Sequence, residues 1–173
     1  MGPGWEWAEG NLRIRGKRGN LIRFLQDELA PAVLREDGTI EERRISMEEN
    51  CGGWSLILRR DPDTVREVYL RGANRMFIDM EDTELEIDLS EGKNMNQDQV
   101  VIFYDFLMAD PVMDYSFLRE KAVKHKVDIR IFVWQEGMNH SRVNTWYRDG
   151  RTEEETRKFA NWLWDSPMPH YGG

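Results

Sequence analysis

Acidic residues alternate with apolar residues along the segment TELEIDL, residues 83–89. This period of two is typical of a strand, so Glu84, Glu86 and Asp88 are predicted to point to the same side. No basic residue occurs anywhere between positions 79 and 91. We refer to the carboxylates of this region as the acidic strip, which consists of Asp79, Glu81, Asp82, Glu84, Glu86 and Asp88.

The acidic strip is expected to bind a protein rather than a metal ion. Side chains that fan out along one strand diverge, whereas Ca²⁺ and Mg²⁺ need oxygen ligands that converge on one point. The sequence therefore predicts no metal site and no cofactor. The strip is either a solvated sheet face or a surface that docks against a basic partner, such as a host or phage protein that normally grips nucleic acid.

A second candidate surface combines aromatic and arginine side chains. Two consecutive predicted strands, residues 127–134 and 142–148, alternate between an apolar side and a side of rings and guanidinium groups. Arg13 and Arg15 of an N-terminal strand are candidates to join this side. We refer to it as the aromatic–arginine face, which consists of Arg130, Phe132, Trp134, Arg142, Trp146 and Arg148.

The aromatic–arginine face has two interpretations. In RNA-recognition sheets, aromatic side chains on such a face stack on bases while arginines hold phosphates, so single-stranded nucleic acid is one candidate ligand. A large exposed apolar patch is a liability, and the alternative is that inserted strands or a second copy in a homodimer cover the face. The seven tryptophans of the chain exceed what one core needs and favour a contact surface of this kind.

The sequence offers one candidate for enzymatic chemistry. His140 lies in a predicted turn near Asn139, Ser141 and Asp149, where it is a candidate general base; turn-forming preferences explain the same residues equally well. The other histidines, His125 and His170, are expected to be solvated. The chain contains none of the nucleotide-binding, serine-hydrolase or metalloprotease motifs, so a non-enzymatic protein is favoured.

The elements that position these residues form a strand-helix pattern at both ends of the chain. Residues 11–16 predict a strand, and a helix follows from Asn20 to the proline at position 31. Residues 100–150 predict strand, helix, strand, strand, with the helix capped by Asp114. A capping box at residues 152–155 predicts a final helix that includes residues 159–163. The expected fold class is α+β, with a ferredoxin-like antiparallel sheet packed on two or three helices.

Length and charge bound the remaining possibilities. The chain of 173 residues is expected to be a single domain, residues 1–173, in which residues 32–96 are a β-rich insertion. Hairpins are predicted at Asp37-Gly38 and at residues 71–74.

The net charge of -8 argues against attraction of the whole surface to nucleic acid or anionic membrane. No apolar run reaches the length of a membrane span and the N-terminus is unlike a signal peptide, so a cytoplasmic protein is expected. The single Cys51 excludes an internal disulfide and is expected to be partly buried beside two glycines.

Two segments of the chain resemble a known family. The sequence FYDFLMADPV at 103–112, followed by residues 126–150, is similar to the ferredoxin-like domain of YubB-type proteins of phages and plasmids. The matching features are the strand at residues 11–16, Glu136-Gly137 after an aromatic strand, and Asp149-Gly150 after the closing strand. The resemblance implies a mobile-element origin and an accessory role, and it supplies no catalytic residue. Together with the acidic strip, it predicts a protein that binds another protein, for example to inhibit a host defence factor.

Overall fold

The computed structural model describes residues 6–73, 75–89, 97–110, 116–134 and 140–158. Strands predominate in these ranges, and two α-helices accompany them, α1 at Arg18–Glu28 and α2 at Ser116–His125. The strands are β1 (Glu6–Gly16), β2 (Leu29–Ala30), β3 (Ala32–Leu34), β4 (Ile40–Glu42), β5 (Ser46–Asn50), β6 (Ser55–Arg59), β7 (Glu67–Leu70), β8 (Met76–Asp79), β9 (Glu84–Asp88), β10 (Gln99–Asp110), β11 (Asp128–Trp134), β12 (His140–Trp146) and β13 (Thr152–Lys158). A 3-10 turn at Cys51–Gly53 separates β5 from β6.

Eight strands form one large antiparallel sheet. Their order is β13-β12-β11-β1-β10-β8-β7-β2, and each strand runs antiparallel to its neighbours. β1 is central because it pairs with β10 on one edge and with β11 on the other. A smaller sheet has the order β5-β6-β9, and β3 pairs with β4 as a hairpin. The central position of β1 makes its register decisive for the whole sheet.

The apolar residues of the central strands define one side of the large sheet. Leu12 lies opposite Ile131 in the neighbouring strand, Ile14 lies opposite Ile129, and all four are buried. The two helices pack in the same core, to which they contribute Leu21, Phe24, Leu25, Leu118 and Ala122. We refer to this as the helix side, and to the opposite side as the outer side. The outer side carries Arg13, Arg15, Asp128 and Arg130.

The expected ferredoxin-like sheet packed on two or three helices is wrong. The described residues are mostly β, with an eight-stranded antiparallel sheet and two helices. The prediction underestimated the sheet because it placed the central third of the chain outside it. β7 and β8 come from that third, yet they pair with each other and extend the large sheet beyond β10. Their Val68, Leu70, Met76 and Ile78 are buried in the same core as the residues of β1.

The helix predicted from the capping box at residues 152–155 is also wrong. Residues 152–158 form strand β13, which pairs along its whole length with β12. Every side chain of β13 is exposed, so no apolar face exists there to hold a helix against the core. Backbone hydrogen bonds to β12 outweigh the low strand preference of the glutamates, and such charges suit an edge strand because they oppose pairing with other chains. The positions expected to form the apolar stripe, Phe159, Trp162 and Leu163, lie outside the described residues.

Other local predictions are confirmed. The Asp37-Gly38 turn joins β3 to β4, and Oδ1 of Asp37 accepts a hydrogen bond from the backbone N–H of Thr39 at 2.9 Å. The hairpin expected around residues 71–74 joins β7 to β8. The two expected helices are α1 and α2, although α1 begins at Arg18 rather than at Asn20. Asp114, the expected cap of α2, lies outside the described residues.

Gly10 brings β1 unusually close to β11. A Cβ atom on residue 10 would lie 1.8 Å from the carbonyl oxygen of Phe132, which is backbone and has no freedom to move aside. On the other edge of β1, the register with β10 shifts between Gly10 and Leu12, so two residues of β10 lie opposite Asn11. This is the pattern of a β-bulge, which bends and twists a strand. Only glycine fits at position 10 without separating β1 from β11.

Replacing Gly10 with alanine is expected to destabilise the protein by about 3 kcal/mol or to prevent folding, because the methyl group overlaps a neighbouring backbone. Urea unfolding followed by tryptophan fluorescence measures the effect. Gly19→Ala is the matched control. Its Cβ meets nothing closer than Nη1 of Arg23 at 3.9 Å, so in α1 it should stabilise the protein by about 0.5–1 kcal/mol. Equal stability of the two variants would contradict this pairing of β1 and β11.

A buried ionic cluster joins the two helices. Glu28 at the end of α1 is only 4% exposed. Its carboxylate accepts hydrogen bonds from Nζ of Lys121 and from Nε2 of His125, the latter at 2.9 Å. Burial alone would raise the pKa of Glu28, but the hydrogen bonds from Lys121 and His125 outweigh burial and lower it below its ordinary value of 4.5. His125 also packs edge-on against Phe24 of α1. The prediction of a solvated His125 is therefore wrong.

Because the folded state lowers the pKa of Glu28, the cluster stabilises the protein fully above the pKa of the unfolded chain. That stability is lost as the pH falls through the lower pKa of the folded state. Glu28→Gln leaves Lys121 half-buried without its counter-ion and should cost about 3 kcal/mol near pH 7. In urea unfolding from pH 7 to pH 3, the stability difference from the parent protein should shrink below about pH 4.5. Glu120→Gln, on the exposed surface of α2, should show no such trend. A pH-independent difference at Glu28 would refute the ionic role.

Candidate functional site

β9 carries three members of the acidic strip, Glu84, Glu86 and Asp88, on the exposed face of the small sheet, whereas Asp79 ends β8 of the large sheet. It pairs with β6, where Glu84 lies opposite Arg59 and Leu85 lies opposite Leu58. Glu84, Glu86 and Asp88 are exposed, while Ile87 is buried. The predicted alternation of β9 is confirmed. Its acidic side faces solvent because its apolar side contributes to the core.

Strand pairing brings arginines to two members of the acidic strip. Nε of Arg59 in β6 donates to Oε1 of Glu84 at 2.8 Å, and the same guanidinium contacts Glu48. Nε of Arg66 donates to Oδ1 of Asp79 at 2.8 Å, and these hydrogen bonds raise the pKa of Arg66. Basic residues absent from the run 79–91 in sequence are thus supplied to Glu84 and Asp79 by other strands and loops. Glu81, Asp82 and Glu86 accept no side-chain hydrogen bond from an arginine or lysine of the described chain.

A cleft of about 380 Å³ separates β9 from β10. Glu86 and Asp88 line it from β9, and Asp105 lines it from β10. Tyr104 stands beside Asp105 and is 57% exposed. Tyr104 and Asp105 are the two residues of β10 that the β-bulge places opposite Asn11 of β1, and both are exposed. The apolar part of the lining comprises Ile78, Leu85, Ile87, Leu89, Val100, Ile102 and Phe103. We refer to this feature as the acidic cleft.

Two strand edges border the acidic cleft. β10 pairs with β8 only at residues 106–108, so within the described chain no strand pairs with that edge of β10 at residues 99–105. β9 likewise pairs with β6 on one edge and with no described strand on the other. Unpaired strand edges present N–H and C=O groups that can accept a further strand. The cleft thus combines carboxylates on two walls with backbone groups suited to an extended segment.

The acidic cleft lacks the geometry of a metal site. Across the described ranges, no three His, Cys, Asp or Glu side chains are grouped so that they could hold a metal ion. Metal ligands must converge, whereas these carboxylates are spread along two strands. Spread carboxylates suit a ligand with several separated positive charges, such as a lysine- or arginine-rich peptide.

The outer side of the large sheet contains only part of the aromatic–arginine face. Arg130 lies opposite Arg13 of β1 and opposite Thr145 of β12, so these three side chains share the outer side. Trp146 lies opposite Ile129, and Arg142 lies opposite Val133, which puts both on the helix side. The prediction that Trp146 and Arg142 accompany Phe132 is therefore wrong. Alternation along β12 separates two sets of residues, but only the register with β11 decides which set faces the helices.

The remaining rings of the aromatic–arginine face are covered. Phe132 is 6% exposed and Trp134 is 2% exposed, and their rings meet edge-on with centroids 5.5 Å apart. This burial occurs within a single copy of the chain, so a homodimer is not needed to cover them. Arg148 lies on the outer side, where its guanidinium contacts Asp98 at 3.0 Å and Asp128 at 3.1 Å. The face is therefore not an open platform on which bases can stack.

The other reactive residues do not form a described site. His140 begins β12 and Asp149 follows its far end, so at roughly 3.3 Å per residue about 20 Å of strand separates them. Asp149 instead accepts a hydrogen bond from Nε of Arg151 at 2.7 Å. Cys51 is exposed, contrary to the expectation of a partly buried side chain, and its φ of 54° is left-handed. The side chain of His140 and all of His170 lie outside the described structure.

No family model, curated protein or solved structure matches this chain. The similarity to YubB-type proteins therefore stays a prediction. None of the described helices has the length and apolar character needed to span a bilayer.

The position of Trp146 can be tested by its energetic contribution. Trp146→Ala removes a ring that is 5% exposed and packed in the core on the helix side, and it should cost about 3–5 kcal/mol. Tyr104→Ala removes an exposed ring and should change the stability by about 0.5 kcal/mol or less. Chemical unfolding monitored by far-UV circular dichroism measures both variants. A near-neutral Trp146→Ala would place the ring on the outer side after all.

Proposed function

We propose that this protein is a non-enzymatic, cytoplasmic binding protein that holds a basic, extended segment of a partner protein in the acidic cleft. The observation that carries this proposal is the placement of carboxylates on both walls of the cleft, Glu86 and Asp88 from β9 and Asp105 from β10. A ligand lying between the walls meets negative charge from two directions. A ligand lying on one solvated strand would not.

The net charge of the protein and the residues that line the acidic cleft both favour a basic partner. The net charge of -8 repels acidic molecules and attracts basic ones at long range. Lysine and arginine have long aliphatic stems that pack on apolar surface while their charged ends reach carboxylates, and the cleft offers apolar residues below an acidic rim. Tyr104 is exposed at this rim, and a tyrosine ring can also attract a cation.

The members of the acidic strip contribute unequally in this proposal. Glu84 and Asp79 are neutralised by Arg59 and Arg66, so their charge is less available to a partner. Glu86 and Asp88 line the cleft, and binding depends most on Glu86, whose carboxylate accepts no hydrogen bond from an arginine or lysine of the described chain. Glu81 and Asp82 are exposed in the turn before β9 and add to the long-range attraction. The described geometry also adds Asp105, which the sequence pattern did not single out because it lies in a strand without acidic alternation.

A protein of this kind acts by covering the basic surface of its partner. Surfaces rich in lysine and arginine are the usual means by which proteins hold nucleic acid. The inhibition of a host defence factor is a special case of the proposed activity, in which the covered surface is the nucleic-acid site of a host protein.

The proposal predicts binding of a fluorescein-labelled decalysine peptide, measured by fluorescence anisotropy at low ionic strength. Glu86→Lys should weaken this binding about tenfold, because one attractive charge becomes repulsive. Asp88→Lys should act in the same direction. Glu120→Lys on α2 makes the same change of net charge away from the cleft and should leave affinity within about twofold, since its effect is only long-range.

Two results would contradict the proposal. The first is failure of the parent protein to bind decalysine more tightly than a neutral decapeptide. The second is an equal loss of affinity in Glu120→Lys and Glu86→Lys, because net charge would then explain the binding without the cleft.

The two alternative functions have less support. Stacking of single-stranded nucleic acid on the aromatic–arginine face needs open rings, but Phe132 and Trp134 are buried and Trp146 lies on the helix side. An enzyme site near His140 would lack Asp149, which the length of β12 places elsewhere. Protein binding in the acidic cleft therefore remains the first proposal.

A further inference from the structure

A small pocket on the outer side of the large sheet concentrates positive charge in this acidic protein. Its volume is about 120 Å³, well below the ~300–1,000 Å³ of pockets that hold organic ligands. The pocket lies across β10, β1, β11 and β12, and its one residue from β10, Val100, also lines the acidic cleft. Its lining residues are Arg13, Arg15, Val100, Asp128, Arg130 and Thr145.

Arg13 and Arg130 lie directly opposite each other on neighbouring strands. Like charges in this position repel and destabilise a sheet unless an opposite charge comes between them. Nε of Arg13 donates to Oδ1 of Asn11 at 2.9 Å, and Nε of Arg130 donates to Oγ1 of Thr145 at 2.8 Å. Both acceptors are neutral, so they orient the guanidinium groups without neutralising them.

The terminal nitrogens of these two arginines have no hydrogen-bond partner in the described part of the chain. Neither Arg13 nor Arg130 forms an ion pair there, although Arg15 contacts Asp128 at 2.8 Å. Each guanidinium is thus held by a hydrogen bond from Nε, and the N–H groups of its two terminal nitrogens remain available to a ligand. Two guanidinium groups oriented in this way match the oxygens of a phosphate group, which arginine binds through two parallel hydrogen bonds.

The nearby carboxylates are already occupied. Asp128 receives hydrogen bonds from Arg15 and Arg148, and Asp98 receives them from Arg148. Burial would raise the pKa of Asp128, but the hydrogen bonds from Arg148 and Arg15 lower it, so the carboxylate stays ionised. Glu155 of β13 forms an ion pair with Arg157 at 3.0 Å. The hydrogen bond from Arg157 lowers the pKa of Glu155, and the charge of Arg130 lowers it further.

Positive charge therefore remains in excess around the pocket. The guanidinium groups of Arg13, Arg15, Arg130 and Arg148 face the carboxylates of Asp98 and Asp128, and the ion pair of Glu155 with Arg157 beside Arg130 adds no net charge. We propose that this pocket binds a phosphate group, with Arg13 and Arg130 clamping its oxygens and the Thr145 hydroxyl beside them. This pocket shares Val100 with the acidic cleft but none of its charged residues, and neither proposal requires the other.

The test is a thermal unfolding experiment with inorganic phosphate as the probe. Melting temperatures are compared in sodium phosphate and in sodium chloride of the same ionic strength, so that general screening is matched. Phosphate at about 100 times its dissociation constant should raise the melting temperature of the parent protein by several degrees over chloride. Isothermal titration calorimetry gives the dissociation constant.

Arg13→Gln and Arg130→Gln should each weaken phosphate binding at least about tenfold. In chloride, both variants should be as stable as the parent or more stable, because removal of one arginine relieves the repulsion between the pair. Arg35→Gln, which removes an exposed arginine from the β3-β4 hairpin, should bind phosphate as the parent does. Glu86→Lys should also leave phosphate binding unchanged, which separates this test from that of the acidic cleft.

The proposal fails if phosphate stabilises the parent no more than chloride does, or if Arg35→Gln loses as much affinity as Arg13→Gln. A single-stranded oligothymidylate is the second probe. Binding of phosphate alone supports a site for a free phosphate group, and binding of both probes with the same dependence on Arg13 supports recognition of a phosphate within a chain. Binding of the oligonucleotide without phosphate binding overturns the proposal, since contacts other than the arginine clamp would then hold it.

Discussion

The close approach of β1 to β11 at Gly10 is the constraint on which the arrangement of this protein depends. With no side chain at residue 10, the backbone of β1 lies against the Phe132 carbonyl, and this fixes the register that sets Arg13 opposite Arg130. On its other edge, β1 meets β10 through a bulge opposite Asn11. The same strand therefore determines what faces the helices, which guanidinium groups meet on the outer side, and where β10 presents Tyr104 and Asp105.

The acidic cleft and the arginine pocket have opposite charges, and they adjoin at Val100 of β10, which lines both. The acidic cleft uses the part of β10 that β8 leaves unpaired, together with β9 of the small sheet. The arginine pocket, lined by Arg13, Arg15 and Arg130, lies on the outer side of β1 and β11. An acidic surface and a basic pocket can coexist on so small a protein because screening in salt limits interactions between exposed charges to about 10 Å. In both proposals the ligand is therefore recognised by local charges, whereas the net charge governs the long-range approach.

Part of this organisation could be predicted from sequence because it is local. Alternation along β9 correctly separates acidic from apolar residues, alternation along β11 correctly puts Ile129 and Ile131 on the side away from Arg130, and the Asp37-Gly38 turn correctly marks a hairpin. The errors concern interactions between distant segments. The segment 152–158 has the local pattern of a helix start, but pairing with β12 decides its conformation. Arg59 and Arg66 lie outside the acidic run in sequence and reach Glu84 and Asp79 only through strand pairing.

By itself, the sequence determined the residue pattern of the strands, the two helices, the turns and the net charge, because these follow from neighbouring residues. The tertiary structure decided which side of each strand faces the helices and which residues of neighbouring strands lie opposite each other. Trp146 shows the difference: alternation identifies its side of β12, but only the register with β11 assigns that side to the core. The physical reason is that backbone hydrogen bonds between strands can form in several registers, and burial of the whole core selects one of them.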